Sequence, residues 1–124
     1  MISYELYRLI HFGGLFLLFL ALGAAAVLPR APTGAERKLR RLALATHGVG
    51  ALLALTGGFG MLARLGIVQA HAFPGWVVAK MALWTLAAFA PLAAGRLRAG
   101  PWAIWIALPL IGLGAAYLAR FKPF

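Results

Sequence analysis

Residues 9–28 read LIHFGGLFLLFLALGAAAVL, a run in which His11 is the one ionisable side chain. A helix rises about 1.5 Å per residue, so this run is about 30 Å long, the thickness of the hydrocarbon core of a bilayer. In lipid, backbone polar groups must be paired inside the protein, and a helix pairs them within its own segment. The run therefore predicts a transmembrane helix.

Three further apolar runs of similar length follow, at about residues 42–63, 74–95 and 101–119. Pro74 and Pro101 stand at the start of two of them, where the missing N–H of proline removes no helical hydrogen bond. Pro109 lies inside the last run and predicts a kink. The four runs predict an all-α fold, a single membrane domain over residues 1–124 formed by a bundle of four transmembrane helices.

Composition supports lipid as the surrounding solvent. The chain is 64% hydrophobic and 11% charged, with a mean hydropathy of +0.92, whereas soluble domains are about 45–50% apolar and about 25% charged. There is no cysteine, which excludes disulfides and thiolate metal sites. The net charge of +10 does not indicate nucleic-acid binding, because the basic residues flank the apolar runs, where they would meet lipid headgroups.

The basic residues also predict an orientation. The first and third loops hold seven of them, namely Arg30, Arg37, Lys38, Arg40, Arg41, Arg96 and Arg98. The opposite side holds four, namely Arg8, Arg64, Arg120 and Lys122. Loops rich in Lys and Arg stay in the cytoplasm, so we expect a multi-pass protein of a prokaryotic inner (cytoplasmic) membrane with both termini outside.

Small residues predict how the helices meet. Gly50, Ala54 and Gly58 recur every four residues in the second run, with His47 on the same stripe, and Gly112 begins a similar pattern in the fourth run. Such faces let helix backbones approach closely in lipid. We interpret them as packing surfaces, and because one small bundle would leave glycine-lined faces in lipid, we expect a homo-oligomer.

Ionisable residues inside a membrane are costly and mark candidate functional sites. His11 and Lys80 both lie in the predicted outer half of the bilayer, at similar depth. His47 enters from the opposite side and should lie well over about 10 Å from His11 along the membrane normal, too far for both to bind one haem iron. We therefore take His11 and Lys80 as the candidate site, His47 as an interhelical hydrogen bond and His71 as an ordinary loop residue.

The chemistry of this pair suits a cofactor. A neutral imidazole is a good ligand for haem iron, and a lysine among apolar groups can transfer a proton near neutral pH or contact an anion. Trp76 and Trp84, four residues to either side of Lys80, could pack against a tetrapyrrole or cover the lysine stem. Alternatively, Lys80 reaches the membrane interface and His11 bonds a backbone carbonyl.

A histidine early in the first helix, a basic first loop and the stretch FPGWVVAKMAL (residues 73–83) resemble the HemJ-type protoporphyrinogen oxidases. These belong to a broader group of small four-helix membrane proteins that includes the CopD and SirB-like families. The resemblance covers about the first three helices. It implies haem b as cofactor, His11 as its axial metal ligand, Lys80 as the second essential residue, and oxidation of protoporphyrinogen to protoporphyrin.

The leading hypothesis is a haem- or porphyrin-binding membrane protein with Lys80 as catalytic residue and Trp76 and Trp84 beside the cofactor. A quinone or a redox partner protein would accept electrons. Two alternatives stay open: a non-catalytic accessory subunit, and a CopD-like metal-handling protein. The apolar runs contain no carboxylate, which disfavours an ion-coupled transporter.

Overall fold

The computed structural model of the protein describes residues 2–29, 31–67, 73–96 and 101–123. In these ranges the chain forms four helices, α1 (Tyr4–Val27), α2 (Gly34–Arg64), α3 (Gly75–Arg96) and α4 (Pro101–Phe121). The predicted all-helical architecture is confirmed, and the described residues contain no strand. His71, Arg30 and Arg98 lie outside the described residues.

The second helix is longer than its apolar run. The carboxylate of Glu36 accepts a hydrogen bond from the backbone N–H of Thr33 at 3.1 Å, and this cap starts α2 at Gly34 rather than near residue 42. The first turns of α2 therefore carry four basic residues, Arg37, Lys38, Arg40 and Arg41, and the prediction that they lie in a loop was wrong. Hydropathy detects the part of a helix suited to lipid and misses a polar extension of the same helix.

Glycines bring α1 and α2 together as an antiparallel hairpin. A Cβ built on Gly14 would meet the backbone N of Ala54 and lie 2.7 Å from Gly50 O, and one built on Gly57 would lie 2.6 Å from Tyr7 O. At Gly14 and Gly57 there is therefore room for the hydrogen atom of glycine but not for the Cβ of any other residue. The predicted small-residue face of α2 is therefore confirmed at Gly50 and Ala54. Gly57, further along α2, extends the same close contact with the backbone of α1.

Helices α3 and α4 complete an up-down-up-down bundle. His47 and Trp84 link α2 to α3 through hydrogen bonds to Ala88 O and Ala51 O. The α3–α4 pair is also antiparallel, since the ammonium of Lys122 lies over the ring of Trp76. The start of α1, the end of α2, the start of α3 and the end of α4 consequently share one end of the bundle, called the termini end below.

Large apolar side chains lie outside the bundle and small ones inside. Leu18 and Leu22 are the bulkiest residues among a buried set composed mainly of alanine and glycine. In contrast, Phe16 and Trp102 are 74% and 70% exposed. By length and composition, three of the described helices can cross a membrane, at Tyr4–Val27, Gly34–Arg64 and Trp102–Phe121. Helix α3 carries a shorter apolar segment, Gly75–Pro91, and includes a proline, Pro91, that the sequence reading did not single out.

Candidate functional site

A cavity of about 810 Å³ is lined by residues of all four helices, and its lining extends to charged side chains at the termini end, called its mouth below. Its volume falls within the roughly 300–1,000 Å³ typical of small-molecule and cofactor sites. All four residues proposed from the sequence, His11, Trp76, Lys80 and Trp84, line it. The structure therefore brings together, around one space, side chains that the chain carries on two separate helices.

The hydrogen-bond register sets His11 and Lys80 at the same level of the bundle. His11 bonds Ala54 O on α2. Trp84 bonds Ala51 O, one turn along α2, and Lys80 precedes Trp84 by one turn of the antiparallel α3. Lys80 is therefore level with Ala54, as is His11. This agrees with the similar depth that the sequence predicts for the pair.

The hydrogen bond of His11 fixes which ring nitrogen carries its proton. Nδ1 lies 2.6 Å from Ala54 O, and because a carbonyl can only accept, Nδ1–H is the donor. In the neutral ring the lone pair is then on Nε2. Ligating histidines usually have this arrangement, with one nitrogen donating to a carbonyl or carboxylate and the other free to bind a metal.

His47 is placed differently. Its Nε2–H donates to Ala88 O at 2.8 Å, which confirms the interhelical hydrogen bond predicted from the sequence. His47 is buried and does not line the cavity. Seven residues of α2 separate it from Ala54, about 10 Å along the helix axis, which is a smaller separation from His11 than the sequence predicts. Its Nδ1 is buried without a hydrogen-bond partner among the described residues.

Trp84 both lines the cavity and ties α3 to α2. Its indole Nε1–H donates to Ala51 O at 3.1 Å. Backbone carbonyls inside a helix already accept one bond, so this is a second bond to the same oxygen. The indole is therefore held in place by a contact that does not involve the cavity.

We expect Trp84→Phe to lower the free energy of unfolding by about 1 kcal/mol, the usual net value of one hydrogen bond. The ring and its packing are largely kept, so the cavity should persist. Unfolding by sodium dodecyl sulphate in mixed micelles measures the change. Trp105→Phe is the matched control, because Trp105 is 63% exposed. Equal losses in the two variants would contradict a role for the Ala51 bond.

The mouth of the cavity is basic. Arg8 from α1, Arg120 from α4 and Lys122 just after α4 all line it. Arg8 forms an ion pair with Glu5 at 3.6 Å, and the Lys122 ammonium lies 5.3 Å from the centre of the Trp76 ring. From the sequence these cations were assigned to topology alone. The structure places these cations together because the start of α1 and the end of α4 lie at the same end of the bundle.

The interior of the cavity is predominantly apolar. Helix α4 contributes small residues there, including Gly112, Ala115 and Ala116, while α1 contributes the larger Phe12 and Leu15. Small side chains on one helix leave the volume that a ligand would fill. Among the described residues, no group of three or more His, Cys, Asp or Glu side chains lies close enough together to hold a metal ion.

No protein-family model, curated protein or solved structure gives a significant match to the chain. The resemblance to the HemJ-type oxidases therefore rests on the histidine, the basic first loop and residues 73–83 quoted above.

Proposed function

We propose that the chain is an integral membrane protein whose four helices cross the cytoplasmic membrane of a prokaryote, with both termini outside. Large exposed side chains on an apolar surface, such as Phe16 and Trp102, support this, because soluble proteins rarely expose contiguous patches of that kind. Helix α3, with 22 residues from Gly75 to Arg96, lies within the roughly 17–25 residues that a crossing needs. The basic start of α2 would extend into the headgroup layer.

Within that membrane, we propose that the cavity binds haem b or a related porphyrin. The observation that carries the proposal is the state of His11: it lines an apolar cavity and donates through Nδ1 to Ala54 O, which leaves Nε2 able to bind iron. The residues present fit the group in further respects. The volume is adequate, and Trp76 and Trp84 supply flat rings on the α3 wall.

Each residue has a distinct part in this proposal. His11 would hold the haem, which supplies a one-electron redox centre when bound. Lys80, level with His11, would contact the substrate and accept a proton released from it. For a porphyrinogen, each oxidation step removes two hydrogens as two electrons and two protons. A quinone that takes up both electrons and both protons becomes a quinol and balances the step.

The absorption spectrum of protein purified in detergent from haem-supplemented cells tests the proposal. A Soret band in stoichiometric yield is the expected result. Its absence would overturn haem binding and favour the accessory-subunit alternative. Copper retained by protein that has no haem would instead favour the CopD-like alternative.

Lys80→Met separates binding from catalysis. We expect this variant to keep the Soret band, since His11 is unchanged, and to lose most of the oxidation of protoporphyrinogen with an added quinone, because general acid–base groups contribute about 10²–10⁴-fold. Met81→Leu, one residue further along α3 and also at the cavity, is the matched control. Full oxidase activity in Lys80→Met would contradict a catalytic lysine.

A further inference from the structure

The basic mouth of the cavity indicates what kind of ligand it takes. We propose that Arg8, Arg120 and Lys122, called the basic rim below, bind the anionic group of an acidic amphiphile whose apolar body occupies the cavity. The inference deepens the proposed function and rests on it for the identity of that body, because a tetrapyrrole with carboxylate side chains is one such ligand. An anionic lipid carries the same chemistry on its headgroup.

The chain offers little negative charge to this rim. Its two glutamates are Glu5 and Glu36. Glu5 pairs with Arg8, whereas Glu36 lies in the first turn of α2, at the end of the bundle remote from the rim. Two of the three rim cations are thus not matched by a glutamate, and an anionic ligand would supply the missing charge.

The rim side chains are arranged to meet a ligand at the cavity edge. Lys122 is positioned over Trp76, which itself lines the cavity. Arg8 is oriented by its Glu5 partner on the same helix face. Arginine binds a carboxylate or phosphate through two parallel N–H donors and lysine acts as a point charge, so the rim suits either acid. Lys80 is the one cation deeper among the described lining residues, whereas three cations lie at the rim and the rest of the space is predominantly apolar, so the ligand's charged end would stay at the mouth.

Position along the bundle places the ligand body against the candidate site. Lys122 is level with Trp76 at the mouth, and Lys80 and Trp84 follow one and two turns deeper along α3. Two turns correspond to about 11 Å. An amphiphile anchored at the rim would therefore place its apolar body beside His11, Lys80 and Trp84. A neutral molecule would lack this anchor and its fixed orientation.

The test compares wild type with the double variant Arg120→Gln/Lys122→Gln, in nanodiscs of zwitterionic phosphatidylcholine. Arg8 is kept so that Glu5 is not left unpaired.

One arm of the test measures, by fluorescence, the affinity for protoporphyrin and compares it with the affinity for its dimethyl ester. The other measures, by native mass spectrometry, retention of phosphatidylglycerol added to the discs. We expect the variant to bind the acidic ligand about tenfold more weakly, as two exposed charge contacts imply, with binding of the ester unchanged.

The matched control is Lys38→Gln/Arg41→Gln, which removes two exposed cations at the opposite end of α2 and should change neither arm. Recovery in the charge-preserving Arg120→Lys/Lys122→Arg variant would exclude a loss of packing at Trp76. Weakened porphyrin binding identifies a carboxylate ligand, and weakened lipid retention alone identifies a phosphate headgroup. An unchanged affinity in both arms would overturn the inference. If wild type binds no porphyrin but retains phosphatidylglycerol, and the rim variant loses that lipid, the proposed function fails while the inference stands.

Discussion

His11→Ala is expected to abolish the Soret band of the purified protein, with a loss of haem affinity of at least 100-fold. Alanine removes Nε2, the proposed iron ligand, and also the donor to Ala54 O. Changes that merely disturb a ligating histidine's partner already cost about 10–100-fold, so loss of the ligand itself should cost more. Haem content per protein, measured by pyridine haemochrome against protein concentration, gives the result.

His47→Ala is the control that makes the experiment specific. Both histidines are largely removed from solvent, and both donate to a backbone carbonyl of another helix. They differ in that His11 lines the cavity and His47 does not. We expect His47→Ala to retain haem and to lose stability through its missing link to Ala88. Retention of a full Soret band in His11→Ala would rule out His11 as the ligand.

Gly14→Ala is expected to destabilise the bundle by about 3 kcal/mol, the upper end of typical overpacking costs. The added Cβ would meet the backbone of Ala54 and lie 2.7 Å from Gly50 O. Backbone atoms of a helix cannot rotate away as a flexible side chain can, so α1 and α2 must separate. Since His11 is one turn from Gly14 on the same helix, its bond to Ala54 should also be strained.

Gly13→Ala provides a control at the neighbouring position. A Cβ on Gly13 meets nothing within 4 Å, and alanine is a better helix former than glycine by about 1 kcal/mol in soluble peptides. We expect this variant to be neutral or slightly stabilised. Thermal unfolding in dodecyl maltoside, followed by circular dichroism, compares the two. Equal stability of Gly13→Ala and Gly14→Ala would show that α1 and α2 do not pack as described.

The sequence alone predicted the class of fold and four of the residues that line the cavity, namely His11, Trp76, Lys80 and Trp84. Apolar runs are local in the chain, and their length is set by one physical quantity, the thickness of the hydrocarbon core. His11 and Lys80 could be selected because an ionisable side chain in such a run is costly. Their similar level followed from counting residues inward from helix ends, since the rise of a helix is constant.

Tertiary structure decided the features that are formed by more than one helix. The start of α2 at Gly34 is an exception, since a local side-chain cap at Glu36 sets it and hydropathy ignores that cap. The proton on His11 Nδ1 was fixed by a carbonyl 43 residues away in sequence. The basic rim exists only because the start of α1 and the end of α4 lie at the same end of the bundle. The last two features depend on which helix lies beside which, and periodicity within a helix marks a packing face, as at Gly50 and Ala54, without specifying which helix covers it.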